Sequence, residues 1–115
     1  MTLNEFLAKL KSSPKQIDFS ETIAVIDSNY LFTPTAFTNG LLKNAEDQNL
    51  GSCKLLAFAV DQDFTKAETL ACFGTYYFED VLINPNGTGH QNIRNFIKTG
   101  FEGLHFETFP LQKRQ

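Results

Sequence analysis

The chain has 115 residues, 42% of them hydrophobic and 20% charged, with a formal net charge of −3. That is one domain's worth of sequence, too apolar and too weakly charged for a disordered segment. The acidic balance, spread over both halves, argues against a nucleic-acid partner, and no apolar run approaches the ~20 residues that cross a bilayer.

The N-terminus carries a helix signal at once. Thr2 and Glu5 have the T-x-x-E spacing of a capping box, and Leu3, Phe6, Leu7 and Leu10 fall on one helical face. Ser12-Ser13-Pro14 stops that helix. A second helix is expected from Ser20 as N-cap, with Ile23, Ile26 and Tyr30 as its stripe and Pro34 beyond its end. Thr35 to Thr38 has strand character. Asn39-Gly40 is the dipeptide of a type I′ turn, with Leu41-Leu42-Lys43 as the return arm. After a polar loop over 44–51, Ser52 is read as a cap. Leu55 to Val60 then reads as a buried helix, because Ala57 and Ala59 favour helix over strand.

Residues 65–83 give the clearest periodicity. Thr65 and Glu68 form another capping box, and Leu70, Ala71, Gly74, Tyr77, Phe78 and Val81 keep the three–four spacing of one long helix. Gly74, inside that stripe, predicts the close approach of another backbone. Asn84-Pro85 is the stop. A third capping box, Thr88 with Gln91, opens the last helix, which turns Ile93, Phe96 and Ile97 inward and ends at Gly100. Leu104 to Glu107 alternates as a strand. The expected fold is α+β, a mostly helical single domain over 1–110. Its small antiparallel sheet comes from 35–43 and 104–109, and 111–115 is expected to be a frayed tail.

The chemistry concentrates on the last helix. Its N-terminus, preceded by Gly87-Thr88-Gly89, favours an anion, and the Arg94 guanidinium could hold a phosphate or carboxylate at two points. His90, Asn92 and Arg94, with Tyr76 or Tyr77 nearby, are therefore the candidate ligand-binding residues. The plainer reading is an ordinary capped helix with a solvated basic edge along His90, Arg94 and Lys98. No catalytic residue stands out. His90 and His105 have no metal-ligand spacing, so neither a metal nor another cofactor is expected. Cys53 and Cys72 read as buried free thiols.

Longer blocks carry a family likeness. Phe32-Thr33-Pro34-Thr35-Ala36-Phe37-Thr38-Asn39-Gly40, Gly51-Ser52-Cys53-Lys54, Thr69-Leu70-Ala71-Cys72-Phe73-Gly74 with Tyr76-Tyr77, and His90-Gln91-Asn92-Ile93-Arg94-Asn95-Phe96 followed by Gly100 resemble the HopJ type III effector family. The resemblance runs in order from Leu3 to about Glu107. Gly89 and Phe101 stand where the family commonly has an acidic residue and a Trp. The resemblance implies a bacterial protein delivered into host cells by type III secretion, with no assigned activity.

Two functions follow as expectations. One is a non-enzymatic protein-interaction domain with a protein partner of unknown identity. The alternative is a binder of, or enzyme on, a small anionic ligand at the N-terminus of the last helix. Free cysteines, no positive-then-apolar leader and an early capped helix favour the bacterial cytoplasm, with delivery into a host cell as the alternative.

Overall fold

In a computed structural model that describes residues 1–114, Thr2 and Glu5 close a reciprocal capping box at the start of α1 (Leu3–Ser12). Phe6 and Leu10 go into the core. After a 3-10 turn over Pro14–Gln16 comes α2 (Phe19–Asn29), capped at Asp18 rather than Ser20. The Glu21 carboxylate accepts the Asp18 N–H at 3.1 Å, which moves the start two residues back. The inward face of α2 is Thr22, Val25 and Ile26, and Tyr30 belongs instead to β1 (Tyr30–Phe32).

The hairpin forms with its turn shifted by one residue. β2 (Phe37–Asn39) pairs with β3 (Leu42–Asn44), Asn39 opposite Leu42, so the connecting pair is Gly40-Leu41. Gly40 has a φ of +62° and Leu41 is not among the positive-φ residues, which is the pattern of a glycine-first turn. Asn39 is thereby kept in the strand, where it is fully buried. β4 (Leu104–Phe106) pairs along the other edge of β2, giving the order β3-β2-β4, with Phe37 and Phe106 stacked at 5.7 Å.

The frayed tail is a correction. Leu111–Lys113 forms β5, antiparallel to β1 with Phe32 opposite Leu111, and Leu111 is buried. Arg114 continues the attachment, its N–H donating to the Asn29 carbonyl and its Nε to that of Asp27, each at 3.0 Å. The domain therefore runs past residue 110. Gln115 lies outside the described residues.

α3 (Leu50–Asp61) begins two residues ahead of Ser52, and every side chain from Leu55 to Ala59 is fully buried. α2, β5 and the helix of Lys66–Ala71 pack against it. Phe58 meets Phe6, Tyr30 and Phe64 at centroid distances of 6.0, 5.8 and 5.4 Å.

The single helix expected over 65–83 is broken. α4 (Lys66–Ala71) keeps its capping box, but Gly74 takes a φ of +62° and the chain rewinds as a π-helical segment over Tyr76–Val81. The close approach expected at Gly74 is real: an ideal Cβ there would lie 2.8 Å from the Ile17 carbonyl oxygen and 3.0 Å from the Phe19 nitrogen. The break leaves the Cys72 carbonyl without a helical amide, and the buried Thr22 hydroxyl donates to it at 2.8 Å. That explains a threonine on the inward face of α2.

The last helix, α5 (Gln91–Thr99), buries Asn92, Ile93 and Phe96 and ends at Gly100, φ +58°. Its start also differs from expectation. The N-cap is His90, and Thr88 makes no capping box; the Gln91 side-chain amide donates to the Thr88 carbonyl at 2.7 Å instead.

Candidate functional site

Two helices begin at one cleft. The first turns of α3 (Asn49, Gly51, Ser52) and of α5 (His90 to Ile93) line a cavity of about 370 Å³. Both N-cap residues are left-handed, Asn49 at φ +51° and His90 at φ +54°. Side-chain capping needs an extended backbone at the N-cap, so neither residue caps its own helix. The first amides with backbone acceptors are Cys53 on α3 and Ile93 on α5. The amides of Leu50, Gly51 and Ser52, and those of Gln91 and Asn92, have no acceptor among the described residues. By contrast α1 and α4 are closed by capping boxes.

These helix starts are positively polarised, and no Asp or Glu lines the cleft.

Asparagines fix the spacing of the two starts. Asn44 on β3 accepts at Oδ1 from Asn49 Nδ2 at 2.6 Å and from Asn92 Nδ2 at 3.0 Å. Asn39 on β2 donates to the Asn92 carbonyl at 2.7 Å and to its Oδ1 at 3.1 Å. Asn39, Asn44 and Asn92 are all buried, where a hydrogen-bonded amide cluster is held to one arrangement by the desolvation penalty of breaking it.

Aromatic rings form one side of the cleft. Phe73, Phe19, Tyr76 and His90 follow one another along it, and His90 Nε2 lies 3.1 Å from Asp80 Oδ2. The cleft thus brings His90, Asn92 and Tyr76 together. Asn92 contributes its backbone amide, since its side chain is engaged in the cluster.

Tyr77 and Arg94 lie elsewhere. Tyr77 lines a separate groove with Leu10, Lys11 and Phe78. Arg94 donates to the carbonyls of Gly89 at 2.6 Å, Asn84 at 2.8 Å and Pro85 at 3.3 Å, so its guanidinium ties down the 84–89 turn. The sequence reading missed Asn49, Ser52, Phe19 and Asn44 as site residues. Asn49-Leu50-Gly51-Ser52 carries a signal, an asparagine followed by a glycine and serine just before an apolar run, but the sequence reading places 49–51 in a loop and the cap at Ser52.

The family can now be stated. The HopJ type III effector protein family matches residues 3–111, and the chain belongs to that family. It is also similar, at 53% identity and a TM-score of 0.96, to the crystal structure of a protein of unknown function, VPA0580. The match covers 99% of this chain and 95% of that one. No curated protein matches the chain. Among the described residues no group of three His, Cys, Asp or Glu side chains is placed to hold a metal ion, and no helix is long and apolar enough to cross a membrane.

Proposed function

We propose that this domain binds a small ligand through an anionic group, a phosphate or carboxylate, seated between the starts of α3 and α5. The observation that carries the reading is the convergence of two uncapped helix N-termini on one cleft with no Asp or Glu among its lining residues, Asp80 reaching only the outer edge through His90. Ser52 adds a hydroxyl and His90 an imidazole at the rim. No reaction is assigned to the site.

The protein-interaction reading has less support. It calls for a contiguous apolar patch, and the large exposed apolar side chains, Leu31, Leu50 and Phe109 among them, come from several different elements. Leu41 is in the hairpin turn, Val60 near the end of α3, and Leu82 and Ile83 follow the π-helical segment.

The test is a titration of the ¹⁵N-labelled protein with inorganic phosphate, sulfate and acetate. Saturable shifts at the Gly51, Ser52, Gln91 and Asn92 amides, weakened by added salt, are expected. Shifts scattered over the surface lysines, or none, would sink the proposal.

For localisation we favour the bacterial cytoplasm. The family is described as type III effectors, but Phe6 and Leu10 of α1 are core residues here, so an exported chain would have to give up its fold. Secretion of a reporter fused to residues 1–25 by a type III apparatus would overturn that preference.

A further inference from the structure

The chain contains two Asn-Gly dipeptides, Asn39-Gly40 and Asn86-Gly87. Such a pair carries its own chemistry. The glycine backbone nitrogen attacks Cγ of the asparagine, because no Cβ on the following residue stands in the way. The new N–Cγ bond closes a succinimide ring, the attacking nitrogen gives up its proton, and the Cγ–Nδ2 bond breaks to release ammonia. Water then opens the ring at either carbonyl. The products are aspartate, or isoaspartate, in which the backbone runs through the side chain. Water enters and ammonia leaves, nothing is oxidised or reduced, and a neutral amide becomes a carboxylate.

The fold separates the two sites. Asn39 is fully buried in β2; its Nδ2 donates to the Asn92 carbonyl at 2.7 Å, and the Gly40 amide donates to the Gly103 carbonyl at 2.8 Å. Leaving group and nucleophile are both held, away from solvent. Asn86 is in the opposite situation. It is exposed, as is Gly87, and its side chain makes no hydrogen bond among the described residues. Asn84 precedes Pro85, whose nitrogen carries no proton, and every other asparagine precedes a residue with a Cβ.

What restrains Asn86 is the turn it sits in. Residues 84–87 close as a β-turn, the Gly87 amide donating to the Asn84 carbonyl at 3.0 Å. The Arg94 guanidinium holds the Asn84 and Pro85 carbonyls at 2.8 and 3.3 Å. The ring closes only when the Gly87 nitrogen leaves Asn84 and meets Cγ of Asn86, so the rate follows the opening of the turn. Arg94 and Lys98 line the same groove as Asn86 and Gly87, so the new carboxylate forms beside cations that favour it.

We infer that Asn86 is a site of spontaneous deamidation, timed by the turn that Arg94 clamps, and that Asn39, with the same neighbour, is inert until the chain unfolds. This chemistry needs no ligand in the cleft. Its isoaspartyl product adds a backbone atom inside the turn and a negative charge beside Arg94, which alters the chain leading into His90.

The full chain is aged in mildly alkaline buffer, digested under acid and mapped by mass spectrometry, with isoaspartate scored by its elution. The native protein should convert at Asn86 and stay intact at Asn39. In guanidinium chloride both should convert at similar rates, and both faster than Asn86 in the native protein. Arg94→Lys, which keeps the charge and frees the turn, should raise the native rate at Asn86 about fivefold. Asn39 reports the fold in every sample, since a variant that unfolds converts there too. The native-against-unfolded comparison uses the unaltered chain and decides the matter even then.

No conversion at Asn86 in the native protein, or conversion at Asn39 at the same rate, would overturn the site. Conversion of native Asn86 at the unfolded rate, or a rate unmoved in folded Arg94→Lys, would overturn the clamp.

Discussion

Asn44 and Asn92 hold each other by a reciprocal pair of amide hydrogen bonds, Asn92 Nδ2 to Asn44 Oδ1 at 3.0 Å and Asn44 Nδ2 to Asn92 Oδ1 at 3.2 Å. Because Asn44 also receives Asn49, one side chain on an edge strand fixes two helix starts. The geometry of the cleft is thus set by the register of β2 and β3, which is why a hairpin of two three-residue strands matters to a site built on helices.

Asn92→Ala tests this directly. It strips the Asn44 amide of its reciprocal partner and leaves the buried Asn39 side chain, whose Oδ1 already lacks a partner among the described residues, with only the Asn92 carbonyl. Unpaired buried amides cost on the order of 1–3 kcal/mol. A fall of that size in urea-unfolding stability is expected, together with weaker phosphate binding although the Asn92 backbone amide is retained. Unchanged stability would mean that the cluster does not hold the cleft.

Gly74→Ala should also destabilise, although alanine is the better helix former. The added Cβ would meet backbone at 2.8 Å, which cannot swing aside, and the φ of +62° is itself strained for an L residue. The expected loss is about 1–3 kcal/mol, read from the denaturation midpoint. A stabilised variant would contradict the close approach of residues 17–19.

Local signals and long-range contacts were unequally legible in the sequence. The capping boxes at Thr2 and Thr65, the buried run of α3 and the Gly100 stop depend on near neighbours, and they formed as read. The break at Gly74 did not show, because three–four periodicity continues through it; what breaks the helix is the backbone of residues 17–19. The β1–β5 ribbon was invisible for a similar reason. Leu111 to Lys113 has little strand character until Tyr30 to Phe32 lies beside it. Of the residues that line the candidate cleft, the sequence points to His90 and Asn92 at the start of the last helix and to Tyr76 near it. Asn49 and Ser52 come from a helix some forty residues earlier in the chain, which only the fold brings alongside.

Acid should weaken the α1–α2 contact through Glu21. Its carboxylate accepts from Lys9 Nζ at 2.9 and 2.8 Å, and that bond, more than the help from the Asp18 N–H, holds it below the ordinary carboxylate range. A folded-state pKa below the unfolded one gives stability that is complete above the unfolded value and lost as pH falls through the folded one. Glu21→Gln should therefore flatten the stability profile between about pH 6 and about pH 3. The contribution is modest because the pair is partly solvated. An unchanged profile would mean that this pair carries none of the acid sensitivity.

Both thiols should be silent in the native protein. Burial pushes Cys53 up to about 11 and Cys72 up to about 12, the latter helped by the charge of Glu68. The thiolate is the reactive form, so Ellman's reagent near pH 8 should find neither cysteine before unfolding and both after it. Rapid native reaction at either one would show that the core opens locally.

Arg94 gives the sharpest separation between holding the site and touching the ligand. Its guanidinium reaches three carbonyls of the 84–89 turn, and Gly87 packs so closely that a Cβ there would lie 2.7 Å from Arg94 Nη2. A lysine presents a single ammonium and cannot span carbonyls of residues 84, 85 and 89 at once. Arg94→Lys should free the turn while leaving the core, to which the exposed guanidinium contributes little. Hydrogen exchange at the Gly87 amide, bonded to the Asn84 carbonyl at 3.0 Å, should accelerate, with a global stability loss within about 1 kcal/mol. Because the same turn leads into the left-handed His90, phosphate affinity should fall as well, through the loss of a fixed α5 start and not of a direct contact. If affinity collapsed while Gly87 exchange stayed slow, Arg94 would instead be a ligand contact, and its three carbonyl bonds would have to open on binding.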